Sequence, residues 1–430
     1  MLRLSSIALC MTKNNLLFMR ILRLFLLATI WLGFSLAAQA QAGRITGVVQ
    51  DSVTHEPLPF SSVFLANTTL GATTNENGQF VLDRVPKGNY DIVGSYVGYR
   101  LSKQTITVAA GATAPAVTLQ LASSGPQLGE VVVKADANQE ANYHKFTDLF
   151  VGRTAFSKQC RITNPGDVDV LFNDTTKTLT ATTDNYVQVE NKALGYRIKY
   201  YGMYFQYNET SEAVRDEGQI VFEEMKPKDE AQRRQWAANR LAAYNGSQMH
   251  FLKSLYDNQL KENNFLAQQV RLVVPLRAAR AEAELRKKKT PFTPAEVDSL
   301  RAWSELPPIA QLNSTARPID SLRRVAADGR VFLRFPDELQ VVYFGEAPDP
   351  AYTAPMSPIG PAEKNMPAKR QVSRLTLLVS ETEIKPNGTL VNPFDIGRGE
   401  YWGFQRIGEL LPLDYEPPVV AAKRASAAVK

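Results

Sequence analysis

The sequence predicts a multidomain protein in which an all-β sandwich precedes an α+β domain. Residues 41–122 contain short segments in which apolar and polar residues alternate, separated by Gly, Asn and Pro, with no helical run. Such a pattern is typical of short antiparallel strands joined by tight turns. Residues 143–418 combine further strand-like segments with helical periodicity. The 430 residues also exceed what one ordinary domain holds, so two or three domains are expected.

A secretory leader is predicted at residues 1–40. Arg20 and Arg23 precede the apolar run Leu24–Leu36, and the small-residue site Ala38-Gln39-Ala40 follows, which is the order of a cleaved signal peptide. The run is short for a bilayer span, which needs about 20 apolar residues. We therefore expect an exported protein. Three methionines are alternative start sites: Met1, Met11 and Met19.

Removal of the leader changes the charge and the cysteine count. Because the leader holds four basic residues and no acid, 45 Lys and Arg remain against 43 Asp and Glu, and the net charge falls from +6 to +2. The basic character therefore does not indicate a nucleic-acid partner. Cys10 leaves with the leader, so Cys160 has no intramolecular disulfide partner and is predicted to be a small buried apolar residue.

The strands of residues 41–122 follow from alternation and turn chemistry. Asn77-Gly78 fits a tight hairpin turn, and Pro86 with Gly88 fits the next turn. Period-two alternation predicts the apolar residues of one face: Val63, Leu65, Phe80, Leu82, Ile106 and Val108.

These motifs also support a family resemblance. The succession PLPFSSV, GATTNENGQF, VPKGNY, SYVGY and LGEVVV resembles the carboxypeptidase regulatory-like domain. The resemblance implies a transthyretin-like (prealbumin-like) Greek-key sandwich of seven strands. It is a resemblance to the accessory domain of carboxypeptidases and not to their catalytic domain. The same domain occurs at the front of large outer-membrane receptors.

The second domain is predicted to begin after a strand and linker at residues 123–142. A helical stretch over residues 230–263 is expected to pack one apolar face on a sheet, and Gly246-Ser247 either kinks it or divides it in two. Thr-Pro-Ala-Glu predicts the start of another helix, Thr293–Trp303. The earlier strand candidates are Val168–Phe172, Thr178–Thr183, Tyr186–Glu190, Arg197–Tyr207 and Gln219–Glu224.

The last part of the second domain is predicted to return to strands. A Pro-rich loop, Ala347–Pro367, separates them, and residues 419–430 are expected to form a flexible tail. The late elements are Val331–Phe335, Leu339–Phe344, Leu375–Ser380 and a closing turn at Gly399–Trp402. The segments FSKQCRITNP, ENKALGYRIKY and LLPLDYEPP resemble a group of uncharacterised envelope proteins of Bacteroidota type, which implies a location and no activity.

The sequence predicts no metal site and no cofactor. A catalytic zinc site needs three protein ligands, and His55, His144 and His250 show no zinc-peptidase spacing. A Cys-His pair of Cys160 with His144 lacks any flanking signature. A cluster of oxygen-bearing side chains is interrupted by a strand, so we expect solvated strand ends there: Asp167, Asp169, Asn173 and Asp174.

Two candidate sites stand out by composition. Tyr201, Phe205 and Tyr207 lie in the run RIKYYGMYFQY, which is either an aromatic platform for sugar rings or a central strand buried on both faces. The second cluster, of lower specificity, contains Arg240, Tyr244 and His250, where the histidine is either a catalytic base or a packed helix residue.

The function predicted from these features is that of a non-catalytic exported protein of the periplasm or outer membrane. It is expected to bind an envelope protein or a glycan through the sandwich and the α+β domain. A basic run, LRKKKT at residues 285–290, leaves a peripheral association with the outer membrane open. The alternatives are a hydrolase with a site near His250 or Cys160, and an accessory subunit of an outer-membrane uptake system.

Overall fold

The structure is a computed structural model that describes residues 43–109, 114–124, 138–210, 214–287, 292–353 and 370–418. The predicted leader with its alternative starts, the strand expected near residues 130–133 and the predicted tail lie outside the described residues. The chain divides into two compact units. We describe each unit by itself.

The N-terminal unit is a sandwich of two sheets. One sheet has the order β4-β1-β7 and the other has the order β3-β2-β5-β6. The strands are β1 (Gly43–Asp51), β2 (Ser62–Leu65), β3 (Gly71–Thr73), β4 (Gln79–Val85), β5 (Gly88–Ser95), β6 (Ser102–Val108) and β7 (Val117–Leu121). The predicted order along the chain, an all-β sandwich followed by an α+β region, is confirmed. One strand pair departs from the antiparallel expectation, because β1 and β7 run parallel.

Alternation and turn chemistry explain this sandwich. In β4, Phe80 and Leu82 are buried while Val81 and Asp83 point to solvent, which is the period-two pattern of a half-buried strand. The turn before β4 needs Gly78, because its φ is +68° and an added Cβ would lie 2.6 Å from the Val49 carbonyl oxygen. The sequence therefore specifies the register of β4 locally.

The second unit contains all the described helices. They are α1 (Gln139–Val151), α2 (Glu230–Tyr244), α3 (Gln248–Tyr256), α4 (Leu276–Arg286), α5 (Pro294–Ser304), α6 (Ile319–Leu322) and α7 (Glu400–Phe404). Helix α5 begins with a complete capping box between Thr293 and Glu296, which confirms the start predicted from Thr-Pro-Ala-Glu.

Three sheets accompany these helices. A six-stranded sheet has the order β8-β11-β12-β10-β9 with β13 paired to β12, a five-stranded sheet has the order β15-β14-β18-β19-β21, and a three-stranded sheet has the order β16-β17-β20. The strands are β8 (Cys160–Ile162), β9 (Asp169–Asn173), β10 (Thr178–Thr182), β11 (Tyr186–Asn191), β12 (Tyr196–Asn208), β13 (Val214–Glu224), β14 (Phe265–Val273), β15 (Ile309–Ala316), β16 (Arg323–Val325), β17 (Val331–Leu333), β18 (Glu338–Tyr343), β19 (Gln371–Leu377), β20 (Thr382–Ile384) and β21 (Ile396–Gly399).

The long strand β12 is interrupted at Gly202. β11 pairs with residues 196–201 of β12, and β10 pairs with residues 204–208. Gly202 lies between the two pairings with a φ of +56°, and its N–H donates to the Asn185 carbonyl oxygen at 2.9 Å. Such an irregularity shifts the alternation of side chains between the two faces. β12 is therefore two pleated segments joined at a glycine.

The predicted helical stretch of residues 230–263 is divided in two at Gly246-Ser247. Gly246 has a φ of +74°, and the Ser247 hydroxyl accepts a hydrogen bond from the His250 N–H at 3.1 Å, so Ser247 is the N-cap of α3. The Trp402 indole N–H donates to the Gly246 carbonyl oxygen at 2.7 Å. The break is thus fixed by a cap and by a tertiary hydrogen bond.

Several elements differ from the sequence prediction. Helix α1 begins at Gln139, inside the segment 123–142 that was expected to be strand and linker. It buries only Phe146, Phe150 and Val151, so its apolar pattern is too sparse to reveal a helix without the strands it packs against. β14 and β15 were not predicted. β19 ends at Leu377 rather than at Ser380.

We predict that Gly195→Ala destabilises the second unit strongly. Gly195 has a φ of +70°, and an added Cβ would lie 2.3 Å from the ring of Trp236, which is buried. The left-handed conformation costs about 1–2 kcal/mol for alanine, and displacement of the indole adds to this cost. Chemical denaturation should therefore show a loss of more than about 2 kcal/mol in the free energy of unfolding.

Gly166→Ala is the matched control, because an added Cβ at Gly166 meets nothing within 4 Å. Equal stabilities of the two variants would contradict the packing of Gly195 against Trp236.

Candidate functional site

The aromatic residues predicted on β12 are largely part of the core. Tyr201 and Phe205 are buried, and only Tyr207 is partly exposed. The Tyr201 ring packs on Tyr186 with centroids 5.0 Å apart, and the Phe205 ring meets Phe146 at 5.3 Å. A ring that is covered on its faces by other rings presents no surface to a sugar.

The faces of β12 also differ from those expected from simple alternation. The sequence predicts Tyr200 on one face and Phe205 on the other, whereas both rings contact Phe150, at 5.6 Å and 6.1 Å. The interruption at Gly202 places them on the same side. Tyr204 is 38% exposed and Lys145 lies over the Tyr207 ring.

The second predicted cluster is only partly brought together. The His250 ring lies 4.8 Å from the Tyr244 ring and 4.9 Å from the Phe265 ring, and its Nδ1 accepts a hydrogen bond from the Gly246 N–H at 3.2 Å. Arg240 instead stacks on Tyr196, with its guanidinium carbon 3.9 Å from the ring centroid. The structure pairs His250 with Tyr244 and directs Arg240 elsewhere.

The surroundings of His250 are those of a packed residue. Burial lowers the pKa of His250 to about 4, so the imidazole is neutral at neutral pH. The Ser247 hydroxyl caps α3, and the Ser254 hydroxyl donates to the His250 carbonyl oxygen at 2.7 Å. Both nearby hydroxyls therefore serve the helix backbone, and neither is presented as a nucleophile.

The other side chains considered as catalytic or metal-binding candidates have structural roles or lie apart from one another. Burial raises the pKa of Cys160 to about 12, which opposes formation of the reactive thiolate. His144 is exposed on α1, 3.8 Å from Glu140. The Asn173 side chain accepts hydrogen bonds from two backbone N–H groups of the turn that follows it. Within the described ranges, no group of three or more His, Cys, Asp and Glu side chains could hold a metal ion.

A buried carboxyl group, Glu409, was missed by the sequence analysis. The Thr154 hydroxyl donates a hydrogen bond to Glu409 Oε1, while Oε2 is buried without a hydrogen-bond partner. Burial raises the pKa of Glu409 to about 7. Because 255 positions separate Thr154 from Glu409, no local spacing could have revealed the pair.

A group of exposed apolar residues of the second unit lies at one end of the ribbon formed by β14 and β15 and on the helices α4 and α5, which connect these two strands. Val273 pairs with Ile309 where the ribbon begins. We define the hairpin surface as the exposed apolar residues of these two helices and of the adjoining ribbon end: Leu272, Val273, Val274, Leu276, Trp303, Leu306 and Ile309.

A groove between α4 and α5 adjoins these residues. It encloses about 650 Å³ and is lined by Leu276, Arg277, Arg280, Ala281, Ala283, Glu284, Leu300 and Trp303. The guanidinium carbon of Arg277 lies 4.0 Å from the centroid of the Trp303 ring, which is 36% exposed. This cation–π contact holds the indole at the groove with one part of it still open to solvent.

The apolar face of helix α5 is not buried against other elements of the structure. Val297, Leu300 and Trp303 recur at three-residue spacing on one side of the helix, yet α5 has no buried residue. Helix α4 buries Ala278 and Ala281, which are small. An amphipathic helix normally covers its apolar stripe against other elements, so this hairpin leaves apolar area for another molecule.

We predict that Glu409→Gln stabilises the protein at high pH. The pKa of about 7 in the folded state lies above the ordinary value of 4.5, so the folded protein binds this proton more tightly than the unfolded chain. The contribution of Glu409 therefore decreases as pH rises from 4.5 through 7. The variant should gain up to about 3 kcal/mol relative to the wild type at pH 8, and much less at pH 4.5.

Urea unfolding at both pH values measures this difference. Glu262→Gln, at an exposed position, reports the effect of removing one surface carboxylate. A stability difference for Glu409→Gln that is the same at pH 4.5 and pH 8 would contradict the assignment of a buried, proton-binding carboxyl group.

The N-terminal unit matches a known domain family. The family model of the CarboxypepD_reg-like domain matches residues 45–133. This agrees with the resemblance seen in the turn and strand motifs. A comparison with curated proteins found no match. In the part of the chain that the structure describes, no helix has both the length and the apolarity needed to cross a bilayer.

Solved structures resemble the chain only distantly. A pilus 2b backbone protein of group B streptococcus is 17% identical with a TM-score of 0.16, over 19% of this chain and 41% of its own. A candidate carbohydrate-binding protein from Bacteroides uniformis is 11% identical with a TM-score of 0.16, over 37% of this chain and 58% of its own. The chain thus spans under two thirds of either protein.

A third structure covers more of both chains. A candidate membrane-associated protein of unknown function from Bacteroides fragilis is 10% identical, with a TM-score of 0.16, over 80% of this chain and 91% of its own. At these identities and TM-scores the three likenesses carry no argument about fold or function. The finding that carries weight is the match of residues 45–133 to the family model of the CarboxypepD_reg-like domain.

Proposed function

We propose that this protein is an exported, non-catalytic binding protein of the bacterial envelope, and that its hairpin surface binds another envelope protein. The predicted leader supports export. The CarboxypepD_reg-like domain, an accessory domain in the enzymes that carry it, supports a role without catalysis. The exposed hairpin surface carries the proposal.

The hairpin surface has the composition of a binding site. Exposed apolar residues that adjoin one another mark interaction sites when they form a patch, whereas single exposed apolar residues do not. Trp and Arg dominate the energetics of protein interfaces, and Trp303 stacked under Arg277 places both at the groove. When a partner buries these side chains, each Å² of apolar surface removed from water contributes about 25 cal/mol of favourable free energy.

The charge of the hairpin indicates which charged groups the partner carries. Residues 271–309 contain eight Lys and Arg against five Asp and Glu. Arg277, Arg280 and Glu284 line the groove itself, so the charged residues of its lining have a net charge of +1. An apolar segment flanked by carboxylates complements such a groove, because its apolar side chains fill the space between the helices while its acids meet the arginines. We therefore propose an acidic, apolar protein segment as the partner.

Catalysis has weaker support among the described residues. The Cys160 thiol has a raised pKa and the His250 imidazole has a lowered pKa, because both are buried. A nucleophile and its base require the opposite shifts, or hydrogen-bond contact with each other. Glycan binding on β12 is disfavoured too, because Tyr201 and Phe205 have no exposed ring face.

We predict that Leu276→Asp abolishes partner binding. Leu276 is 66% exposed and lines the groove, so aspartate there should leave the fold intact and oppose an apolar, acidic partner. Leu171→Asp is the matched control, since Leu171 is 67% exposed on β9, away from the hairpin surface. The tagged full chain and both variants are used to capture proteins from solubilised envelope, and the protein lost only with Leu276→Asp is purified and titrated.

The expected result is a dissociation constant at least tenfold larger for Leu276→Asp, about 1.4 kcal/mol, with no change for Leu171→Asp. Equal binding by the two variants would overturn the proposal. Leu276-dependent binding to vesicles with anionic lipid, or to a glycan array, in the absence of a protein partner would also overturn it.

A further inference from the structure

A second group of exposed apolar residues lies at the same end of the five-stranded sheet as the hairpin surface. We define the rim patch as these residues, which come from the chain after β19 and from the loop before β21: Leu378, Val379, Val391 and Phe394. Leu378 is 67% exposed and Phe394 is 59% exposed. The Leu378 N–H donates to the Asp395 carbonyl oxygen at 2.9 Å, which joins the two segments. The rim patch therefore belongs to adjoining segments of one sheet end.

The strand register places the rim patch beside the hairpin surface. Val270 of β14 pairs with Glu338, the first residue of β18, and Glu338 pairs with Thr376 of β19. Leu272 and Leu378 each follow this row by two residues, so they lie at the same height beyond it. Because neighbouring strands are about 4.8 Å apart, the two chain segments are separated by about 10 Å. One bound molecule can therefore contact both.

An ordered loop presents the aromatic ring of the rim patch. Asn392 Oδ1 accepts a hydrogen bond from the Phe394 N–H at 3.2 Å, and Asn392 Nδ2 donates to Asp395 Oδ1 at 2.7 Å. The Thr382 hydroxyl donates to Asp395 Oδ2 at 2.6 Å. These bonds hold the loop while the Phe394 ring remains in water. A loop that is already ordered loses little conformational entropy on binding, and exposed aromatic rings are enriched in protein interfaces.

The carboxylates near the rim patch have partners inside the unit. Glu381 accepts a hydrogen bond from Arg324 at 2.8 Å, and Glu383 accepts one from Arg330 at 3.3 Å. The rim patch therefore offers apolar contact, whereas the groove between α4 and α5 offers arginines as well.

A stable protein interface needs more area than the hairpin surface provides. Such an interface buries about 800 Å² on each partner, which takes about 20–30 residues. The hairpin surface comprises seven residues. A protein that docks on it must also contact neighbouring surface, and adjoining exposed apolar residues mark where such contact is favourable.

We propose that the envelope protein bound by the hairpin surface also covers the rim patch, and that this partner is a folded protein. The inference rests on the proposed function and specifies the kind of partner that the site fits. The acidic, apolar segment of the partner fills the groove, and an apolar surface next to that segment covers Leu378 and Phe394. A short peptide in the groove would leave the rim patch in water.

Photo-cross-linking of the full chain in living cells tests this inference. A photoreactive amino acid in place of Phe394 should form an adduct with the same protein as one in place of Trp303. Leu378→Asp, added to the Trp303 cross-linking variant, should lower the yield of that adduct at least fivefold. Leu171→Asp is the matched control, since Leu171 and Leu378 are equally exposed, and it should leave the yield unchanged.

The outcomes distinguish failure of this inference from failure of the proposed function. The inference alone is overturned if Leu378→Asp leaves the yield from position 303 unchanged. It is also overturned if position 394 gives a different protein, a second copy of this chain, lipid or no adduct. Position 394 is tested without the Leu378 substitution, so it decides the question if Leu378→Asp fails to fold. The absence of any protein adduct from position 303 overturns the proposed function and this inference with it.

Discussion

The second unit is organised by the need to bury large side chains on one face of β12. Tyr196, Ile198 and Tyr200 are buried in the first half of the strand, and Met203 and Phe205 are buried in the second half. An antiparallel sheet commonly packs one face on the core, and other elements must cover that face. Helix α1 supplies Phe146 and Phe150 for this purpose. At the start of the strand, Arg240 of α2 covers Tyr196. Because these rings are needed in the core, most of the aromatic side chains of this segment present no surface to a ligand.

The charged groups of the second unit differ in whether they have partners inside the protein. Arg374, for example, is paired with Glu338 and Glu400. Glu409 Oε2 is buried without a hydrogen-bond partner, which costs stability. Glu409 avoids part of the cost by binding a proton, because its pKa is raised to about 7.

The sequence predicted those elements whose formation depends on residues close to one another along the chain. The strands of the N-terminal unit follow from alternation and from turns such as Asn77-Gly78, and the start of α5 follows from Thr293 and Glu296. Helix α1 could not be predicted, since its helical state depends on two phenylalanines packing on a distant strand. The faces of β12 were wrong for a related reason, because alternation does not reveal a glycine interruption.

The sites were harder to predict than the fold. Tyr201, Phe205 and Tyr244 were chosen for residue type and spacing, which do not reveal that these side chains are buried. The sequence does show the apolar spacing of Val297, Leu300 and Trp303, but it cannot show that α5 packs without burying any of them.

Site-specific photo-cross-linking in living cells tests the central claim most directly. A photoreactive amino acid in place of Trp303 is compared with one in place of Leu171, both in the full chain. Binding by the hairpin surface predicts one discrete protein adduct from position 303 and none from position 171. Adducts from position 171 alone, or the absence of any protein adduct from position 303, would contradict it.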